Sequence, residues 1–232
     1  MKDKLSRGRQ KMREIEVMRK IESRGLIYKI LSTGFDYPKD RLINALPHEE
    51  YWNALVETLD ILDERLSDRT REQSGKIRSE ARDGGLAAFE VEYNRLFQVS
   101  HVNPCPLTAS EYMKGESRQA LAVAQLRGIY RSFGVNTRPN READHICTLL
   151  EFMSWLCAKE ARAHTTGNEE GKVSSAGAQI IVIGDYLGFV PLMAQPVCEH
   201  AEMEYYRWLV NLAVDFMRLE REALLPQATF SA

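Results

Sequence analysis

The residues best suited to chemistry in this 232-residue chain are an adjacent acid and base, Asp144 and His145, at the head of the stretch READHICTLLEFMSWLCAKE (141–160). Such a pair can serve as an acid/base dyad, contribute to a metal site, or form a rim that grips another molecule. Metal binding fits poorly. His145 and Cys147 are two residues apart, so on a helix they point in different directions, and neither has a soft ligand at i+3 or i+4. The four cysteines, Cys105, Cys147, Cys157 and Cys198, are widely spaced and form no CxxC, a pattern of reduced thiols rather than zinc ligands. Ser110, Ser154 and the cysteines have no GxSxG or comparable nucleophile setting. GNEEGKV (167–173) has three residues between its glycines where a phosphate loop needs four, Val173 where a hydroxyl should hold magnesium, and no strand before it. Neither enzyme activity nor a resident metal is expected. Asp144 also has a plain structural use, since an acid near a helix N-terminus is favoured by about 0.3–1 kcal/mol, with Asn140 as the expected cap.

The elements that must position this pair read as helices. Ile15, Met18, Ile21, Tyr28 and Leu31 mark a first helix over 14–31, halted by Gly34 and DYP. After Pro47, Trp52, Leu55, Leu59, Leu62 and Leu66 form one continuous apolar stripe. The polar run SGKIRSEARDGG leads to a double glycine at 84–85, which marks a turn or kink, and Leu86, Phe89, Tyr93, Leu96 and Phe97 resume the stripe. Residues 98–108, with two prolines around Cys105, have no period and read as an ordered loop. Further helices are expected at about 116–133, ended by Gly134, at 141–163, ended near Gly167, and at 172–187 and 202–225. No strands, repeats or low-complexity tracts stand out. These breaks predict an all-α fold, a single domain over 1–232 of about eight to ten helices, with a basic and partly frayed start over 1–13.

Charge and hydropathy remove other classes. There are 31 basic and 33 acidic residues, a net charge of -2, so no global field favours a polyanion. The longest apolar runs, such as AQIIVIGDYLGF (178–189), stop short of the roughly 20 residues a bilayer requires. The basic N-terminus has no apolar segment or cleavage site behind it, which fits neither a secretory nor a twin-arginine signal. A cytoplasmic protein without membrane insertion is expected.

Three stretches together resemble the TorD/DmsD family of redox-enzyme maturation chaperones. EYNRLFQVSHVNPCPLTASEYMKG (92–115) is similar to the family's aromatic, Leu-Phe and proline-containing loop before an acidic-aromatic helix start. EADHICTLLEFMSWLCAKE (142–160) resembles its Asp-His followed by a glutamate, an aromatic and a methionine, and YLGFVPLMAQPVCEHAEMEYYRWLVNLAVDFMRLERE (186–222) its closing turn and last long helix. LIYKILSTGFDYP (26–38) fits as well. Leu107 stands where relatives close to DmsD have tryptophan, and Ala143 where they have proline, so the resemblance is to the family rather than to that branch. It implies a non-catalytic cytoplasmic chaperone that binds the N-terminal leader, usually twin-arginine, of a molybdenum-dependent oxidoreductase. The apoenzyme is held until its cofactor is inserted and is then released for export. A NarJ-like role for a non-exported reductase is the alternative.

On that resemblance, Tyr93, Leu96, Phe97, Pro106 and Leu107 line an apolar groove, Asp144 meets a leader arginine and His145 orients the carboxylate. An aromatic stripe at helical spacing is equally the mark of a core. No cofactor is implied beyond the weak guanine-nucleotide binding reported for some members. The implied partners are the leader and the apo form of a molybdopterin oxidoreductase subunit, met by a monomer or a segment-exchanged dimer. A nucleic-acid module using Lys2, Lys4, Arg7, Arg9, Lys11 and Arg13 is the remaining rival. That run is diluted by Asp3 and Glu14 and reads more simply as a solvated helix start.

Overall fold

The computed structural model describes residues 2–98, 105–137 and 141–225, without the side chains of residues 2–8 and 11. Nine α-helices are formed among the described residues: α1 (Lys2–Gly34), α2 (Asp40–Ile43), α3 (Glu49–Asp60), α4 (Glu64–Phe97), α5 (Glu116–Ser132), α6 (Ile146–Thr166), α7 (Glu169–Ile181), α8 (Val190–His200) and α9 (Glu204–Leu224). The only β pairing among them is an isolated antiparallel bridge between Thr108 and His145. The fold is all-α, as the periodicity predicts.

Several boundaries differ from the sequence reading, each for a local reason. The stripe over 52–66 is two helices. Asp63 adopts an extended conformation and its side chain accepts from the Arg65 amide, so α4 starts afresh at Glu64 while Leu59 and Leu66 still face one core. The polar run 74–83 continues as helix, and the double glycine is a kink inside α4, with Gly85 at φ 56°. Helix α1 takes in the whole basic run from Lys2 onwards. The segment 172–187 is α7 followed by a π-turn at Val182–Tyr186 and a 3-10 turn at Leu187–Phe189. Helix α8 is absent from the sequence reading because its two prolines look like breakers; Pro191 sits in the first turn, where its missing amide is harmless, and Pro196 is tolerated inside. The stretch Glu169–His200 has the length and mean hydropathy, 1.5, of a spanning helix, yet half of its most apolar window is buried within the protein.

The centre is an antiparallel pair, α1 against α6. Gly25 lies so close to Cys157 that a Cβ there would stand 3.1 Å from the cysteine's, and Ser154 and Ser32 donate across the pair to the carbonyls of Gly25 and Cys147. At the end of α1, a Cβ on Gly34 would sit 2.6 Å from a terminal methyl of Leu209, so any larger residue there would have to push that side chain aside. Helix α9 has no capping side chain of its own; Glu80 and Glu92, from the two sides of the α4 kink, accept from the backbone amides of Glu204, Tyr205, Glu202 and Met203.

Arg24 joins four helices. Its guanidinium is bidentate on Glu220 of α9, at 2.7 and 2.8 Å, and also reaches Glu160 of α6 and Gln179 of α7, while the Tyr28 hydroxyl donates to Glu220 at 2.7 Å. Burial opposes the charge on Arg24, but the Glu220 carboxylate outweighs it and raises the guanidinium above its ordinary pKa. Glu220→Ala is therefore expected to cost about 3–5 kcal/mol, the usual effect of stranding a buried charge. Glu160→Ala, which removes a longer ion pair and the 2.8 Å bond from Gln179 but leaves Glu220 on Arg24, should cost less; urea unfolding of the two variants measures the difference.

Candidate functional site

Residues 105–112 and the entry to α6 are built as one unit; the rest of the 98–108 loop, residues 99–104, lies outside the described residues. The Ile146 amide donates to the Leu107 carbonyl at 2.8 Å, and the Ala109 amide to the Asp144 carbonyl at 3.1 Å, on either side of the Thr108–His145 bridge. Asp144 is 2% exposed, and its Oδ2 accepts from the Ser110 amide at 2.8 Å, at the first turn of the 3-10 helix Ala109–Tyr112. Two tyrosines brace the unit: Tyr112 donates to the Pro106 carbonyl at 3.0 Å and Tyr130 of α5 to the Ala143 carbonyl at 2.8 Å.

His145 is the N-cap of α6, its Nδ1 accepting from the Cys147 amide at 3.2 Å. The expected cap, Asn140, lies outside the described residues. An accepting Nδ1 puts the proton of the neutral ring on Nε2, which is left as a donor. Burial, and then the positive charge of Arg141, push the His145 pKa below its ordinary 6.5. Arg141 itself is paired with Asp36, and its Nη1 is buried without a partner.

A cleft of about 370 Å³ opens where these pieces meet the end of α4, lined by Tyr93, Phe97, Gln98, Pro106, Leu107, Thr108, Glu111 and His145. Five of the seven residues singled out in the sequence converge on it. Leu96 does not, being fully buried on the core side of α4. Asp144 does not line it either: its carboxylate is turned onto Ser110, so it holds the loop rather than facing solvent. Tyr93 is anchored by its hydroxyl to the Phe35 carbonyl at 3.2 Å and packs against Phe97 at a tilt of 59° with centroids 5.0 Å apart, so both rings are almost wholly buried. The acid that does face the cleft is Glu111, exposed and without an ion pair among the described residues. Sequence reasoning passed over it, although it forms the acidic-aromatic pair with Tyr112 at the end of the 92–115 stretch.

The arrangement is suited to holding rather than reacting. Burial pushes the thiol of Cys105 up to about 11 and that of Cys157 to about 12, away from thiolate chemistry. Among the described residues no group of three or more His, Cys, Asp or Glu side chains is placed to hold a metal ion. The GNEEGK segment is a helix junction, with Gly167 in the left-handed conformation closing α6 and Asn168 capping α7 through the Gly171 amide.

The cap has a pH signature. Between the lowered pKa and 6.5 the unfolded chain takes up a proton that the folded chain does not, so stability falls as the pH drops below about 6.5. His145→Asn keeps a capping acceptor that does not titrate, and the melting temperature of that variant should show a weaker loss between neutral pH and pH 5 than the parent's.

A family model described as the nitrate reductase delta subunit matches residues 45–188, more than half of the chain and every residue of the cleft. No curated protein sequence matches. Among solved structures, a putative redox enzyme maturation protein from Archaeoglobus fulgidus is similar at 20% identity over 84% of this chain and 91% of that one, with a TM-score of 0.44.

Proposed function

Since the chain belongs to the nitrate reductase delta subunit family, whose members are maturation chaperones and not catalytic subunits, we propose that it binds the N-terminal leader of a molybdenum-dependent oxidoreductase in the cytoplasm. The cleft carries this reading. It offers apolar edges from Tyr93, Phe97, Pro106 and Leu107, a free carboxylate on Glu111, and the His145 ring at one wall. A twin-arginine leader presents the complement, a basic head followed by an apolar stretch. Glu111 meets the basic head, the aromatic and proline edges meet the apolar stretch, and Asp144 acts at one remove by fixing the loop that carries both. The apoenzyme is held until its cofactor is in place and is then released for export. The description of the matched family favours a second reading, in which the client is a nitrate reductase that is not exported. A leader in which the paired arginines are replaced by lysine separates the two, because only the first reading predicts a loss of affinity.

Titration calorimetry with a synthetic leader peptide, an Arg-Arg head followed by an apolar segment, tests the assignment. Glu111→Gln should weaken binding by about 0.2–1 kcal/mol, the worth of an exposed ion pair, and the difference should fade as salt is raised. Leu107→Ala should weaken it through lost apolar contact, with little dependence on salt. Asp144→Ala should lower the melting temperature as well as the affinity, whereas Glu111→Gln should change affinity alone. If the peptide binds parent, Glu111→Gln and Leu107→Ala alike, the leader does not sit in this cleft.

A further inference from the structure

Between the last turns of α6 and the first half of α7 lies a second cavity, of about 510 Å³, which the cleft does not touch. Residues 159, 162, 163 and 166 supply one face of α6, and residues 171, 174 and 175 one face of α7, each set at the three- and four-residue steps of a helix. The end of α5, at Ser132 and Phe133, closes it.

The lining carries two cations, Lys159 and Arg162, and no acid. They stand three residues apart on one helix face, where like charges repel. Neither has an ion pair among the described residues. The Lys159 ammonium lies over neutral rings, 4.8 Å from the Trp155 centroid and 5.9 Å from that of Phe133, which place it without cancelling its charge. In a chain whose 31 basic residues are outnumbered by 33 acidic ones, an uncompensated pair of cations is a local exception.

The neutral groups beside them point the same way. Ser175 is 2% exposed, yet its hydroxyl has no hydrogen-bond partner among the described residues and it lines the cavity. A hydroxyl so far withdrawn from water is costly to leave unpaired. Asn168 turns its Oδ1 to the Gly171 amide at 3.0 Å, so the group it has to spare is the Nδ2 donor. A Cβ on Gly171 would crowd that nitrogen at 3.0 Å, and glycine keeps the space clear. By contrast, Ser132 and Thr166 spend their protons on the carbonyls of Ile129 and Arg162. The unspent groups are thus an ammonium, a guanidinium, an amide nitrogen and the buried hydroxyl, all of them donors.

We propose that this cavity is an anion site whose ligand is a small phosphate monoester. Two uncompensated positive charges match the near-dianion that such an ester is at neutral pH, and its oxygens accept from Arg162, Lys159, Asn168 and Ser175. Side chains do the holding here, unlike in a phosphate loop, because the Gly171 amide is taken by Asn168 and Lys172 is paired with Glu169 at 2.6 Å. The ring in the lining, Phe133, packs on Phe152 and Trp155 and has Lys159 over it, which leaves no platform for a nucleobase. The cavity is larger than a phosphate ion requires, and the rest of it suits a short polar organic part. The proposal stands apart from the leader reading, since this cavity and the cleft share no residue.

Titration calorimetry of the full chain with glycerol 3-phosphate, inorganic phosphate, acetate and guanosine monophosphate tests it. The expected result is saturable one-site binding of glycerol 3-phosphate, at least about tenfold tighter than acetate because a second charge is neutralised. Arg162→Gln should weaken it at least about tenfold, the loss of a charge-assisted bond. Ser175→Ala should weaken it severalfold without lowering the melting temperature of the ligand-free chain, because the hydroxyl has no protein partner to lose. Lys172→Gln, whose pairing lies outside the cavity, should bind like the parent. Arg162→Gln should also leave leader binding unchanged, so the two readings fail separately. A parent that binds neither phosphate, an Arg162→Gln chain that binds glycerol 3-phosphate like the parent, or a tighter fit for guanosine monophosphate overturns the proposal. Inorganic phosphate binding more tightly than the ester overturns the ester in favour of the free ion.

Discussion

A carboxylate withdrawn from water has to find its hydrogen bonds inside the protein, and the way Asp144 does so shapes everything around the cleft. Its side chain accepts from the Ser110 amide while its backbone carbonyl accepts from Ala109, so one residue ties the first turn after the loop to the entry of α6 from two directions. With that tie in place, Leu107 and Thr108 are extended alongside residues 144–146, and Pro106 and Glu111 fall on the same side as His145. An aspartate here is worth more as an acceptor of backbone amides than as a partner for a passing cation.

The walls of the cleft are borrowed from the core. Tyr93, Phe97 and Leu107 are almost wholly buried, and each shows a small surface to the cleft while the rest of the side chain packs inward. Whatever enters meets surface that does not need to be assembled on binding, which reduces the ordering cost of association. The same economy explains how an aromatic stripe at helical spacing serves as core and as binding wall at once, two uses that sequence periodicity cannot separate.

The all-α class and most helix positions were legible because the apolar stripes are long and their stops are glycines in positive φ or residues before a cap, as at Gly134 and Gly167. The break between α3 and α4 was hidden because Asp63 inserts a turn without disturbing the i+3/i+4 succession of leucines. Helix α8 was hidden because proline in a first turn looks the same in sequence as proline that ends a helix. In the site, Tyr93, Phe97, Pro106, Leu107 and His145, which line the cleft together, could be named in advance from the family resemblance, while Leu96 was named with them and lies in the core. The direction of the Asp144 side chain could not, since it depends on a backbone amide more than thirty residues away along the chain, and backbone amides leave no mark on residue type. Glu111 escaped notice for the opposite reason: an isolated surface glutamate is ordinary until a cleft is known to lie beside it.

The capping of α9 has a mechanical consequence. Gly85 gives α4 a single soft joint, yet Glu80 before the joint and Glu92 after it are both fastened to the same helix start. The two arms of α4 are therefore tied to one short stretch, residues 202–205, which closes a small ring around the glycine joint and resists its opening. Tyr93 and Phe97 ride on the far arm. For the cleft to widen by a swing of that arm, at least one carboxylate would have to leave the amides it caps, so the hinge that the glycine supplies is held shut by a lock on a different helix.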